Sequence, residues 1–589
     1  REGKIRLERG KHHRFRIYAA IETSHNASSP RVETAGVLRA AAGRPELDIR
    51  LRHRQSWERF WEKSLLFVDD DYLENIWHFM LYLMNSSSRG TYPAHFINGL
   101  WGFGRDFHPW SAYFQWNMQN SIWFLHAAGH GELALPFFNY RWRSLPHARE
   151  SAQALGEAGA FYADVADRRG RNDPHVRFNR SPGGQIALDF WKHYLYTGDE
   201  GFLRNQAWPV IRSVAEQYAS IVHYSEEDGC YHTRRSSAYE GSILFDDVIT
   251  ELAAIRSILP IAAEIGRRLD DLDEQTEAEW KHIVEHLAPF HLTELKPEEV
   301  YEEDGKTKLA GRLGKGKTLE SRHVFTIGKY RGMIGLDEDN PDYGSRPDYE
   351  VKGLPGTAKG SRLRSHYAHE EMPAYYIFPE PEFSPVFPFG LIGLSDRGTD
   401  QFELAKASVR SHKLSGPCIA PKVAALARLG LGEEAWENLV GSARRLQHFP
   451  QGFFYNLDHW CVNSPRFKGN FWTFAAYLQD TGDEDHSLHR DYIYDRRSSY
   501  KVNAGSEDEV RTPAQPFIQA GLESMGLFCL GIHEMLLQSH EGVIRVFPAV
   551  PNEWCGGFRL RAQGGFLVSS YTERGGKCTF VVITSERGG

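Results

Sequence analysis

No CxxC pair occurs in the 589 residues, and the six cysteines, Cys230, Cys418, Cys461, Cys529, Cys555 and Cys578, are widely scattered. That spacing argues against a cysteine zinc site or a dithiol redox centre, and suits small buried hydrophobes better than a disulfide framework. There is no apolar run of membrane length and no low-complexity tail, so no spanning segment is expected. Basic residues form no stripe and the formal net charge is -8, which argues against nucleic acid as a partner. No signal peptide follows Arg1. The opening reads as the tail of something longer, and a missing natural N-terminus favours a secreted or periplasmic setting. What remains, 41% hydrophobic and 25% charged, is an ordinary globular mix, long enough for one large core with appendages.

Against that background one stretch stands out, WGFGRDFHPWSAYFQWNMQNSIWF from Trp101 to Phe124. Aromatic rings recur through it, and between them lie Asp106, Gln115, Asn117, Gln119 and Asn120. Rings stack on sugar faces, and amides both donate to and accept from hydroxyls. Trp101, Trp110, Tyr113, Gln115 and Trp116 are therefore candidate sugar contacts. The plain alternative is a buried aromatic helix with satisfied amides.

Residues 3–24 alternate weakly and predict two strands, the remnant of a β domain, followed by a linker at 25–33. Residues 34–63 predict a helix ending in WERFWEKS. From Tyr72 to about His540 the period is helical, and one design repeats. It is an aromatic helix, a Gly-centred corner, acidic residues in the next first turn, then a second helix. GGQIALDFWKHYLYTGDEGFLRNQAWPVIRSVAEQYASIV, NFWTFAAYLQDTGDEDHSLHRDYIY and APKVAALARLGLGEEAWENLVGSARRL all carry it. Repeated helical hairpins predict a mainly α fold, an (α/α)6 toroid barrel over 34–540. Residues 301–365, rich in Gly, Lys, Arg and Pro, predict a long excursion. After His540 the alternation and Gly-Gly turns predict a short antiparallel β unit, 541–589.

The run EMLLQSHEGVIRVFPAVPNEWCGGFRLRAQGGFLV resembles glycoside hydrolase family 95. YPAHFINGLWG and PWSAYFQWNMQNSIW resemble two further segments of that family, and FWKHYLYTGDEGFL is similar to a hairpin shared by many toroid glycosidases. The resemblance covers roughly residues 35–589. It implies an exo-acting enzyme that inverts configuration and releases an α-linked L-sugar, fucose or galactose, with a β-sandwich upstream and no cofactor or metal.

Inversion needs a general acid on the leaving oxygen and a base that activates water on the opposite face. The resemblance puts the acid on Glu240, in TRRSSAYEGSILFDDVITELAAI. This is the only carboxylate between Gly229 and Asp246. It puts the base on Glu523, where the family usually has Asp; the extra methylene moves the carboxylate by about 1 Å. The helix beginning there is apolar nearly all round, hence buried, and a carboxylate near its N-terminus is favoured as the anion. Asn117 matches a family asparagine that would hold the attacking water or a sugar hydroxyl. Gln115 and Tyr113 depart from the family's Asn and His, which puts plain fucose in question. In RLRSHYAHEEMPAYYIFP, His366 is the match to a family histidine. Asp246 and Asp247 are expected in the first turn of a helix, and Asp458, His459 and Trp460 at the rim.

Two other readings use the same residues. A toroid polysaccharide lyase would abstract a proton beside a uronate carboxylate, with Arg364, His366, Tyr367, His369, Glu370 and Glu371 at its centre. A carbohydrate-binding toroid would have lost catalysis. A carbohydrate is the partner in all three.

Overall fold

The computed structural model describes residues 16–24, 27–88, 102–103, 113–167, 169–172, 179–234, 236–238, 245–294, 323–326, 328–330, 348–350, 362–364, 381–411, 421–446, 518–519 and 522–588. The chain divides into two compact units, Arg1–Lys63 and Ser64–Gly589. In the first, the helix expected over 34–63 is two helices, Pro30–Ala42 and Glu46–Trp61. The break falls at Gly43–Pro45, where the proline cannot continue the ladder of the helix before it. Residues 16–24 form no strand; the rest of the expected β remnant lies outside the described residues.

In the second unit the Gly-centred corners do what their residues dictate. Helix Ser181–Thr197 ends at Gly198 in the left-handed region, and Asp199 then caps the next turn through Phe202 N–H at 2.9 Å. The return helix is Trp208–Ile221. Ile249–Leu269 and Glu274–Glu285 follow, then Asp400–Ser411, Lys422–Arg428 and Gly432–Leu446. The last helix, Leu522–Leu536, is buried at every residue. The repeat at 470–494 lies outside the described residues.

Side-chain registers give the directions of these helices. Gln115 pairs with Gln185 and Gln119 with Asp189, so Gln115–Ile122 and Ser181–Thr197 run parallel. Arg180 interacts with Glu251 and Gly184 abuts Ala254, so Ile249–Leu269 is parallel too. On the other side Asn117 meets Glu523 and Asn120 abuts Gly526, which makes Leu522–Leu536 parallel to Gln115–Ile122. Val423 abuts Gly531, and Ala427 O accepts from Gln538 Nε2 at 3.0 Å, extending the series to Lys422–Arg428. The helix Leu522–Leu536 thus packs against the early helix Gln115–Ile122.

The β unit expected over 541–589 takes a fourth strand from elsewhere. Leu65–Val68 pairs antiparallel with Gly556–Arg559 of strand Gly556–Ala562, followed by Phe566–Glu573 and Lys577–Ser585. The two hairpin loops, 563–565 and 574–576, have three residues each, and Gly564, Gly565, Gly575 and Gly576 all have the positive φ that glycine adopts without strain. Only four apolar residues, LLFV, announce the extra strand in the sequence.

Four buried histidines are held neutral. Burial pushes His193 down to about 4 and His533 to about 3, and His126 and His540 well below the free value. A depressed folded pKa means stability present above the free-histidine value of 6.5 and lost as pH falls toward 4. His193 alone accounts for roughly 3 kcal/mol by that limit. Asp189, whose carboxyl burial pushes up to about 6, works in the opposite sense. We expect Tm to fall steeply between pH 6.5 and 4, and less steeply in His193→Gln, measured by scanning calorimetry across that range.

Candidate active site

The two ends of the chain's helical body meet at one ion–amide contact. Strand Tyr113–Phe114 pairs with Val165–Ala166, and Gln115 N–H bonds Asp164 O at 2.8 Å, so the helix Gln115–Ile122 starts from a fixed anchor. Upstream of the central helix, Ile518–Gln519 pairs with Gly102–Phe103, tying the aromatic stretch to the segment that leads into Glu523. Glu523 lies in the first turn of Leu522–Leu536 and is fully buried. Asn117 Nδ2 donates to its Oε2 across 406 residues of sequence. The amide N–H and the helix N-terminus both present partial positive charge to that carboxylate.

The contact depends on how closely two helix backbones approach. A Cβ on Gly526 would lie 2.1 Å from Asn120 O. Only hydrogen fits, and one turn earlier the same approach sets Asn117 against Glu523. Gly531, further along, meets the Val423 side chain instead.

Gln115 does not join that pair. It sits two residues before Asn117, about 200° round the helix, and is buried with Gln119, Gln185 and Asp189. Its Nε2 donates to Gln119 Oε1 and, at 3.0 Å, to Gln185 Oε1. Gln119 Nε2 in turn donates to Asp189 Oδ2, and Trp123 Nε1 to Asp189 Oδ1 at 2.8 Å. Trp116 packs edge-on to Trp123 with centroids 5.1 Å apart, and Trp123 edge-on to Phe387 at 5.0 Å. Tyr113 is described in its backbone only. Glu240, Trp101, Trp110 and His366 lie outside the described residues, as do Asp458, His459 and Trp460 and most of the Arg364–Glu371 run. The Glu240–Glu523 spacing expected of an inverting pair therefore falls outside them too.

The flanks of the Glu240 segment are described. Ser236 and Phe245 exchange backbone hydrogen bonds at 2.9 and 2.7 Å, closing the loop between them at its base. Asp247 is not in the first turn of a helix. It has φ 51°, the helix begins at Ile249, and its carboxylate accepts from Thr233 N–H. It also pairs with His232 at 2.8 Å and His291 at 3.3 Å. Burial raises its pKa, but the two histidines outweigh that and hold it below the usual carboxylate range. Sequence reasoning missed this hub because its partners, His232, Thr233 and His291, are brought together only by the fold.

Beside these buried amides, a cavity of about 60 Å³ is lined by Asp189, Lys192, Phe387, Arg428, Glu534 and His540, among others. It lies toward the far end of the central helix, about 16 Å along from Glu523. Burial and the nearby Arg428 push Lys192 down to about 8, against Asp189 and Glu534. Among the described residues no cluster of His, Cys, Asp or Glu is arranged to hold a metal ion, and no helix is long and apolar enough to cross a membrane.

Residues 44–302 match the glycosyl hydrolase family 95 catalytic domain. Among curated proteins, the chain is 26% identical over 230 residues to a kojibiose hydrolase of Flavobacterium johnsoniae, covering 38% of this chain and 33% of the relative. It is 25% identical over 365 residues to a kojibiose hydrolase of Mucilaginibacter mallensis, covering 59% and 50%. Among solved structures, a candidate kojibiose phosphorylase from the human microbiome superposes with TM-score 0.55 at 13% identity, over 95% of this chain and 64% of that one. The chain thus spans a third to a half of the length of these curated relatives. The structural likeness is one of fold, and the described residues are mainly helical with a C-terminal antiparallel sheet.

Gly526→Ala should cost about 1–3 kcal/mol from overpacking and lower turnover about 10–100-fold by shifting Asn117 from Glu523. Gly531→Ala, pressing only on a side chain, should lose stability but keep turnover within about threefold. Tm and turnover measured on both variants check the contrast.

Proposed function

We propose that this chain is an exo-acting, inverting glycoside hydrolase. Glu523 is the base, Asn117 holds the attacking water, and Glu240 donates the proton to the leaving oxygen. The observation that carries the reading is the Asn117–Glu523 contact, which joins two residues picked out for one reaction from opposite ends of the chain. The parallel helices, with the last packed on an early one, support a closed (α/α)6 toroid around this contact.

The substrate we put first is an α-linked glucosyl unit. The two matched hydrolases are named for kojibiose, a disaccharide of α-linked glucose. An α-linked L-fucosyl or L-galactosyl unit is the second, resting on the family 95 match over 44–302. Hydrolysis is preferred to phosphorolysis on electrostatic grounds. A phosphorylase receives its nucleophile as a phosphate dianion, which a buried carboxylate at the attack position would repel. Water needs that carboxylate to take its proton.

The test is product release from kojibiose, maltose, an aryl α-L-fucoside and a uronate oligosaccharide, with the anomer followed by proton NMR. Wild type should release one monosaccharide as the inverted anomer, and inorganic phosphate should yield no sugar 1-phosphate. Glu523→Gln should lower kcat about 10²–10⁴-fold, and Asn117→Ala about 10–100-fold. Wild-type turnover in Glu523→Gln would place the base elsewhere, and an unsaturated uronate product would make the enzyme a lyase.

A further inference from the structure

We propose that Asp189 is a positioning residue for the Asn117–Glu523 pair, acting through a buried ladder of amides whose direction it dictates. The inference rests on the hydrolase reading just given.

The ladder has a polarity that can be worked out link by link. An ionised carboxylate only accepts, and an indole N–H only donates. Trp123 Nε1–H bonds one oxygen of Asp189 at 2.8 Å, and the other oxygen takes Gln119 Nε2. Gln119 is thereby held amide-first toward Asp189, so its Oε1 faces Gln115. That oxygen requires a donor, and Gln115 Nε2 supplies it. The second hydrogen on the same nitrogen goes to Gln185 Oε1 at 3.0 Å. One charge therefore sets the orientation of two glutamine side chains in turn. Both hydrogens of the Gln115 amide are spent inward, which leaves only its Oε1, an acceptor, to meet any other group.

Water has little access to the inner links: Gln115 and Gln185 are 1% exposed and Gln119 is fully buried, while Asp189, 4% exposed, borders the cavity. A wrongly oriented amide at the inner links would set donor against donor in surroundings where the mismatch is costly. Burial pushes the Asp189 carboxyl up to about 6, yet Lys192 and the Trp123 and Gln119 donors keep it from rising further.

The ladder matters for Asn117 because of where it grips. Helix Gln115–Ile122 has only eight residues. Gln115 and Gln119 fix one face to Ser181–Thr197. The opposite face carries Asn117 toward Glu523, and Asn120 against Gly526. A short helix held between two neighbours takes its rotation from both. Loosening the ladder turns Asn117 away from the carboxylate it must address.

The decisive experiment moves the charge by one position along the ladder. Asp189→Asn places a donor where only an acceptor fits, and flipping Gln119 to meet it passes the mismatch to Gln115 and Gln185. Adding Gln119→Glu repairs every link. Glu at 119 accepts from both Asn at 189 and Gln115, and Asn at 189 still accepts from Trp123. Both variants are read by kcat and KM on the substrate that wild type turns over, by Tm, and by hydrogen exchange of the peptide spanning 113–124. Asp189→Asn should lower kcat about 10–100-fold with KM changed less than about threefold, and should speed exchange in that peptide. The double variant should recover kcat to within about threefold of wild type and restore protection. If Asp189→Asn fails to fold while the double variant folds and turns over, the ladder still requires one carboxylate regardless of its owner, and the proposal stands. Wild-type kcat in Asp189→Asn, or a double variant no better than the single one, overturns it. If wild type hydrolyses nothing, the hydrolase reading falls, and exchange in 113–124 still decides whether Asp189 orders the helix.

Discussion

Every side chain from Leu522 to Leu536 is buried, and a fifteen-residue helix can be buried all round only if other helices cover each of its faces. Its neighbours come from far apart in the chain: Asp71–Ser87 through the Trp77–His533 hydrogen bond at 2.9 Å, Gln115–Ile122 through Gly526, and Lys422–Arg428 through Gly531. Two glycines set the closest approaches, and the position of Glu523 follows from them. Charges beside this helix are paired. Arg428 reaches Glu534 at 2.7 Å, and Lys192 lies over the Phe387 ring at 5.6 Å with Asp189 and Glu534 as its countercharges. A lone charge in such surroundings would cost several kcal/mol.

The parts of this arrangement that were legible in the sequence are those encoded locally. An apolar run with almost no polar face implied a buried helix over 521–540, observed as Leu522–Leu536, and Gly198 with Asp199 marked a corner because one residue supplies the left-handed turn and the next the cap. Gly-Gly pairs announced the C-terminal hairpins. The strand Leu65–Val68 was not legible, because four apolar residues carry no period and its partner lies almost 500 residues on. The break of the first long helix at Gly43–Pro45 was written in the sequence and passed over in favour of the longer apolar spacing.

The site divides in the same way. Asn117 and Glu523 were paired through family resemblance, since no local pattern relates residues so far apart. Gln115 and Asn117 sit in one aromatic stretch and look alike as sugar contacts, yet two residues on a helix face opposite ways. One meets Glu523 and the other a buried ladder. Asp247 looked like a helix-start acid because acids are common there. Its positive φ and its ties to His232, His291 and Thr233 N–H come from tertiary packing. Spacing could have raised one flag: three amides and an acid at i, i+4 positions on two separate helices are costly to bury unless they satisfy each other.

That cost bears on why an acid, rather than a fourth amide, ends the ladder. An amide in place of Asp189 would spare the desolvation that lifts this carboxyl to about 6, but would leave the buried Lys192 with one countercharge fewer. An amide there would have to turn its oxygen to the Trp123 N–H and its nitrogen to Gln119, and every link as far as Gln185 would have to reverse. The carboxylate accepts on both sides and holds the direction observed. A protein that needed only a stable helix contact would have little use for such a choice. One that must hold an amide against a buried carboxylate on the other face of an eight-residue helix gains a single orientation in exchange for some stability, the pattern expected where a polar group is kept in a core for what it specifies.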